Sequence, residues 1–430
     1  MHSVSVILTI VATSLYFFPF SFKALPGVNT KMMLAAVGLL VYLVNLARKR
    51  DASVSKDMFF LSVCAALVSM MGLFSITYNN TPDYAYATYL VSMWVWIGGA
   101  YAVAQLMKSV HGHISICLIC NYLVVVCVGQ CFLALAIDMY APVKAFVDAY
   151  VEQGQDFLND VERLYGIGAS LDVAGTRFAA VLVMIAFVVL NYDVEDKHYW
   201  LYIVSFLIIA VVGSMIARTT YVGIGIALLY AFFKTKIYTF HLTGEGKRLW
   251  TWLLALGVVA VPLLIVSYKT IPEVYKNLRF AFEGFFNLVE TGQWSIASNE
   301  RLMTMYVFPE TLKTWLIGDG YFSSPRDVDP LFIGKIVGGY YMGTDVGYLR
   351  FIFYFGVFGL IAISAVMCKA AIICSRIYKA ERVLFFLLLA INFLVWFKVS
   401  TDIFLVFALF LVAGDREDKD AEPVSQLAVK

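Results

Sequence analysis

Apolar runs of membrane-spanning length recur along this chain, separated by short polar connections and twice by long ones. Twelve stand out, at 4–22, 32–47, 58–78, 85–107, 114–137, 178–190, 199–217, 219–233, 249–267, 346–367, 383–397 and 403–413. A helix needs about 20 apolar residues to cross a ~30 Å hydrocarbon core. The last two runs are short, which also fits a tilted span plus a re-entrant piece around Lys398 to Asp402. The pattern predicts an all-α polytopic membrane protein of about twelve transmembrane helices. It is one integral membrane domain over 1–430, with long polar loops at 138–177 and 268–345.

The loops carry their own patterns. In the first, Phe146, Tyr150, Phe157, Val161 and Leu164 recur at near-helical spacing and predict a surface helix. In the second, Pro272 opens a similar run through Val274, Leu278, Phe282, Phe285 and Val289, which predicts a helix on the membrane surface. Ser298 then fits an N-cap for a helix with Glu300 and Arg301 in its first turn.

Composition agrees: 61% hydrophobic and 14% charged residues, with a mean hydropathy of +0.80, lie outside the soluble range. A net charge of +2 without a basic tract gives nucleic acid nothing to bind. Val4 to Phe22 lacks a basic leader and a small-residue cleavage site, so it reads as a first span. Counted over short connections, seventeen Lys and Arg fall on the side shared by both termini. Four, Lys23, Lys31, Arg218 and Lys398, fall on the other. That bias places both termini inside and both long loops outside.

None of the seven cysteines lies in a long loop, so no disulfide framework is expected there. Cys117 and Cys120 form a CxxC inside an apolar span without other ligands, and read as packing residues. All five histidines fall on the predicted inner side, which leaves the outer face without the commonest general base and zinc ligand. Chemistry outside would rest on carboxylates and arginines. Arg163, Arg177, Arg218 and Arg301 lie near span ends or loop bases. Arg218 sits in a connection too short to leave the membrane, where an ionisable residue points to function, and the planar guanidinium suits phosphate. The plainer reading is snorkelling to lipid headgroups. Asp345 stands at the mouth of the span after the second loop, as a base or as a helix cap in competition with Thr344. Asp327 and Asp329 make a DxD in a turn-like context. Trp315 and Tyr321 could stack on sugar faces or on other rings.

These features, in this order, resemble the Wzy-type polymerases of the O-antigen ligase and polymerase superfamily, over about the last two thirds of the chain. RLYGIGASLDVAGTRF (Arg163 to Phe178) is similar to the family's Arg-x-x-Gly passage. ARTTYVG (Ala217 to Gly223) is similar to its Ser-Arg helix start, with Ala217 where Ser is usual. Arg301, Trp315 and GDGYF (Gly318 to Phe322) resemble the long-loop Arg and its downstream Gly-x-Gly. DVGYLRFIFYFGVFG (Asp345 to Gly359) resembles the ligases' His-Asn segment, with Asp345 in place of the His and Val346 in place of the Asn.

The resemblance implies a GT-C-like glycosyltransferase of the bacterial inner membrane, working on the periplasmic face without metal or cofactor. It would polymerise undecaprenyl-pyrophosphate-linked repeat units of O-antigen or capsule, with an inverting outcome. Its donor and acceptor are both lipid-linked glycans, and a chain-length regulator and a flippase are the implied companions. Asp345, Arg218 and Arg301 are then catalytic, and Arg163, Arg177, Asp172, Glu300, Trp315 and Tyr321 bind substrate. Glu300 and Asp172 stay open as alternative bases. The missing His favours a polymerase over a ligase that transfers polymer to lipid A-core. The competing class is a lipid-linked-glycan flippase or exporter, for which internal repeats and charged midplane helices are expected; a non-catalytic assembly partner is the third reading.

Overall fold

The computed structural model describes residues 2–49, 55–154, 157–158, 163–239, 243–334 and 339–414. Eighteen α-helices occur among them: α1 (His2–Phe17), α2 (Thr30–Lys49), α3 (Lys56–Asn79), α4 (Tyr89–His111), α5 (Ile116–Met139), α6 (Ala141–Tyr150), α7 (Leu171–Asn191), α8 (Asp196–Ile216), α9 (Thr220–Lys234), α10 (Gly244–Thr270), α11 (Pro272–Ala281), α12 (Glu283–Thr291), α13 (Ala297–Thr304), α14 (Leu312–Leu316), α15 (Pro325–Val328), α16 (Gly347–Ile377), α17 (Arg382–Val395) and α18 (Phe404–Gly414). Eight of them (α2, α3, α4, α5, α7, α8, α10 and α16) are long and apolar enough to cross a membrane. Four shorter apolar helices (α1, α9, α17 and α18) fill the remaining positions of the hydropathy pattern. The chain is a polytopic helical membrane protein.

Burial ranks the helices. In α7 89% of the apolar window is inside the bundle, against 6% in α10. Accordingly α7 is apolar all round beyond Arg177, whereas α10 points Leu254, Val258, Val259 and Leu263 outward. The charged Arg177 is therefore carried into the protein centre, because α7 begins at Leu171 rather than at 178. Asp172 likewise lies in its first turn, not in a loop.

Other boundaries differ for identifiable reasons. The first helix stops at Phe17, where Thr30 Oγ1 donates to Leu15 C=O (2.7 Å) and Ser21–Phe22 pairs antiparallel with Val151–Glu152. That same strand ends α6 at Tyr150, so the expected helix through Phe157 and Leu164 does not continue; Val161 lies outside the described residues. The run after Pro272 is two helices, broken at Phe282 (φ −106°, ψ 28°). Ser298 is not a cap; Ile296 precedes α13 and Ser298 has another partner.

Both long loops lie at one end of the bundle. Asn277 Nδ2 of the second donates to Asp138 Oδ2 of the first (2.7 Å), and Lys23 Nζ donates to Asp148 C=O (2.6 Å). The ring of His2 packs against His111 at the opposite end, where Arg376 also meets Asp57.

The second loop is clamped into the bundle. Inside α16, Phe355 and Gly356 (φ 70°, ψ −175°) leave helical geometry, which frees the carbonyls of Phe353 and Tyr354. Asp319 N–H takes the first (2.6 Å) and Gly320 N–H the second (3.2 Å). Gly318 and Gly320 adopt positive φ to do so. A Cβ on Gly318 would lie 2.5 Å from Tyr354 backbone, and one on Gly356 2.2 Å from Leu316 C=O. The end of α3 completes the seat: Asn79 Nδ2 donates to Gly318 C=O (3.1 Å) and Thr81 Oγ1 to Gly320 C=O (2.9 Å).

Candidate functional site

Where α7 begins, Asp172 faces the turn between α8 and α9 and the segment between α17 and α18. Lys398 Nζ lies 2.8 Å from Asp172 Oδ1 and 3.2 Å from Thr219 Oγ1, and Thr219 Oγ1 itself donates to Asp172. The carboxylate is thus already engaged by an ammonium and a hydroxyl.

Next to Thr219, Arg218 is also committed. Its Nε–H and one Nη2–H donate to Phe280 C=O (2.9 and 2.7 Å), its Nη1 to Ser298 Oγ (2.5 Å) and its Nη2 to Glu283. Four of five N–H donors are used, which stitches α11, α12 and α13 to the α8–α9 turn. The Phe280 ring lies under two cations, 4.2 Å from the Arg218 guanidinium carbon and 5.1 Å from that of Arg163.

Arg163 and Arg301 differ in being uncommitted. Neither guanidinium makes a hydrogen bond or ion pair among the described residues, and Arg301 is exposed on α13. Arg163 feels the charges of Asp172, Arg218, Arg301 and Asp345. Burial lowers its pKa, and the two neighbouring arginines push the same way.

Asp345 completes this group. α16 starts at Gly347 after Val346, without a side-chain cap, and Thr344 Oγ1 accepts from Val346 N–H (3.2 Å). The capping role therefore does not fall to Asp345. Its carboxylate makes no hydrogen bond among the described residues and is half-buried. Burial raises its pKa above the ordinary aspartate value, and Asp172 adds to that; Arg350, Arg301 and Lys398 oppose it.

No family model, curated protein or solved structure matches this chain. The chemistry of the site therefore rests on its residues.

Of the residues read from the sequence, Arg163, Asp172, Arg218, Arg301 and Asp345 come into one electrostatic neighbourhood. Arg177 does not join them. It is 6% exposed and lies over the rings of Phe18 (5.6 Å) and Trp96 (6.0 Å). Trp315 donates to Pro309 C=O (3.0 Å); Tyr321 donates to Asp329 Oδ2 (2.6 Å) and stacks on Tyr341, so both brace the loop. Glu300 is exposed beside Arg301 on α13. Of the DxD pair, Asp329 is taken up by Tyr321 and by Leu331 N–H (3.0 Å).

Two cations were missed. Lys398 was read only as an outer-loop charge. Arg350, 6% exposed, lies between the rings of Phe322 (3.7 Å) and Tyr340 (3.3 Å) and donates to Ser400 Oγ (2.6 Å) and Phe322 C=O (3.0 Å). The signal was present, since an arginine three residues into an apolar run, in YLRFIF, is costly unless paired.

The group holds two guanidiniums with free donors, a carboxylate with free oxygens, and an inner ring of paired charges that fixes the surrounding elements. Such a set can bind a di-anionic group and accept a proton beside it. Among the described residues no three His, Cys, Asp or Glu side chains come together as a metal-binding group.

Proposed function

We propose that this chain is a Wzy-type polymerase with twelve spans and a GT-C-like architecture, joining polyprenyl-pyrophosphate-linked repeat units on the face that carries both long loops. The observation that carries the reading is the unpaired, half-buried Asp345 within the field of uncommitted arginines. Arg163 and Arg301 hold the pyrophosphate of the donor and take up the charge that develops as the anomeric C–O bond breaks. Asp345 removes the proton of the acceptor hydroxyl, whose oxygen forms the new bond from the opposite face, so the anomeric centre inverts. Asp172 is a poorer base because Lys398 and Thr219 already occupy it. Arg218 acts by positioning: it holds α13, and so Arg301, against the α8–α9 turn.

The competing readings part at one experiment. Surface glycan and lipid-linked intermediates are compared between a deletion strain and its parent. One-repeat surface material supports a polymerase. Full-length polymer left on the carrier supports a ligase, and repeat units held on the inner leaflet support a flippase.

A further inference from the structure

A second polar site lies at the same end of the bundle. A cavity of about 300 Å³ is lined by Lys31 at the start of α2, Tyr86 and Tyr89 before and at the start of α4, Ser92 and Trp96 in α4, and Asp402 before α18. That volume is at the lower end of small-molecule sites, about 300–1,000 Å³. Its charges do not meet in direct contact. Lys31 and Asp402 both face the cavity, yet among the described residues neither forms an ion pair. Lys31 Nζ instead sits 4.3 Å over the Trp96 ring, and Asp402 uses one oxygen to accept Phe404 N–H (2.9 Å). Over the Trp96 ring as well lies the buried Arg177, whose guanidinium has no hydrogen-bond partner among the described residues. Buried charges are held by partners, so charges that face a cavity without touching leave those partners to a ligand.

A carboxylate acceptor, an ammonium donor and a hydroxyl beside an aromatic wall of Tyr86, Tyr89, Trp96 and Phe322 are the equipment for a ring that is polar at its edge and apolar on its face. The cavity is linked to the candidate active site through packed side chains. Phe322 is one of its walls, Arg350 packs over Phe322, and Asp345 lies in the field of Arg350. We infer that this cavity is a sugar subsite for the acceptor glycan, with Asp402 and Lys31 reading ring hydroxyls and the aromatic wall packing against the ring. The inference rests on the polymerase reading for the identity of the glycan.

Its test does not need turnover. The probe is the oligosaccharide released by mild acid from the host's polyprenyl-linked intermediates, and its binding to detergent-purified protein is followed by saturation-transfer NMR. Asp402→Asn keeps the bond to Phe404 N–H, and Lys31→Met keeps the stem over Trp96, so both variants retain the local packing. Each should weaken binding roughly tenfold or more, the loss expected of a hydrogen bond to a charged group. Gly225→Ala, whose added Cβ would meet open space, should bind like wild type. Wild-type affinity in both cavity variants overturns the inference, as does the absence of binding to the wild-type protein. The lipid-linked profile of the deletion strain reads the polymerase assignment separately, so a failed subsite and a failed polymerase assignment give different results.

Discussion

Lys398, in the segment between α17 and α18, is bonded to Asp172 at the start of α7 over 2.8 Å. The pair joins residues 226 positions apart and is mostly shielded, with side-chain exposures of 27% and 20%. Removing one partner leaves a charge without its counterion. Asp172→Asn and Lys398→Met should each lower the thermal stability of the purified protein, and the double variant should lose less than their sum. The coupling expected of a contacting pair is roughly 0.5–3 kcal/mol. Additive losses would show that the two side chains act independently.

The arginines should separate into two phenotypes. Arg163→Ala and Arg301→Ala remove uncommitted donors, so protein level and protease resistance should be unchanged while polymer formation falls by roughly 10²–10³, as for loss of one transition-state donor. Arg218 is bonded to Phe280, Ser298 and Glu283, and Lys cannot reproduce that fork. Arg218→Lys should therefore lower polymer yield and also open the 271–304 segment to limited proteolysis. Unchanged proteolysis in Arg218→Lys would move Arg218 from positioning to direct substrate binding.

The strap of the second loop makes a steric prediction. Gly318 (φ 84°) and Gly356 (φ 70°) meet backbone at 2.5 and 2.2 Å from an added Cβ, so neither neighbour can yield by side-chain rotation. Gly318→Ala or Gly356→Ala should undock the strap, seen as protease cleavage near 318–322 and loss of polymer. Gly225→Ala, whose Cβ would meet open space, should be silent in both assays.

Much of this was legible along the chain. Each of the twelve apolar runs holds an apolar helix, because apolar length is a local property. Asp345, Arg163 and Arg301 stand out as candidates because each is a charge at a span end or loop base. What escaped depends on partners distant in sequence. Ser298 reads locally as a cap but is claimed by Arg218, 80 residues away. Arg177 reads as a loop-base arginine until α7 is seen to start at Leu171 and bury it. Lys398 and Arg350 are isolated cations in apolar sequence, and only the fold sets one against Asp172 and the other between Phe322 and Tyr340.

Asp345 carries a pH signature. Burial raises its pKa in the folded protein, so the carboxylate form costs stability. That cost is present at neutral pH and disappears as pH falls through the folded-state pKa, where the proton is held more tightly than in the unfolded chain. Asp345→Asn should therefore be as stable as wild type or slightly more so at pH 7, by thermal shift. The acid limb of the wild-type rate profile should lie above the ordinary aspartate range. A limb within that range would point away from Asp345 as the base.

The central claim is that Asp345 is the base of a metal-independent polymerisation, and purified protein with a synthetic polyprenyl-pyrophosphate-linked repeat unit tests it most directly. Wild-type protein should build a ladder of products with or without chelator, and Asp345→Asn, folded and inserted alike, should be slower by roughly 10²–10⁴, the range of a general base. A full ladder from Asp345→Asn, or a wild-type ladder abolished by chelator, would contradict it.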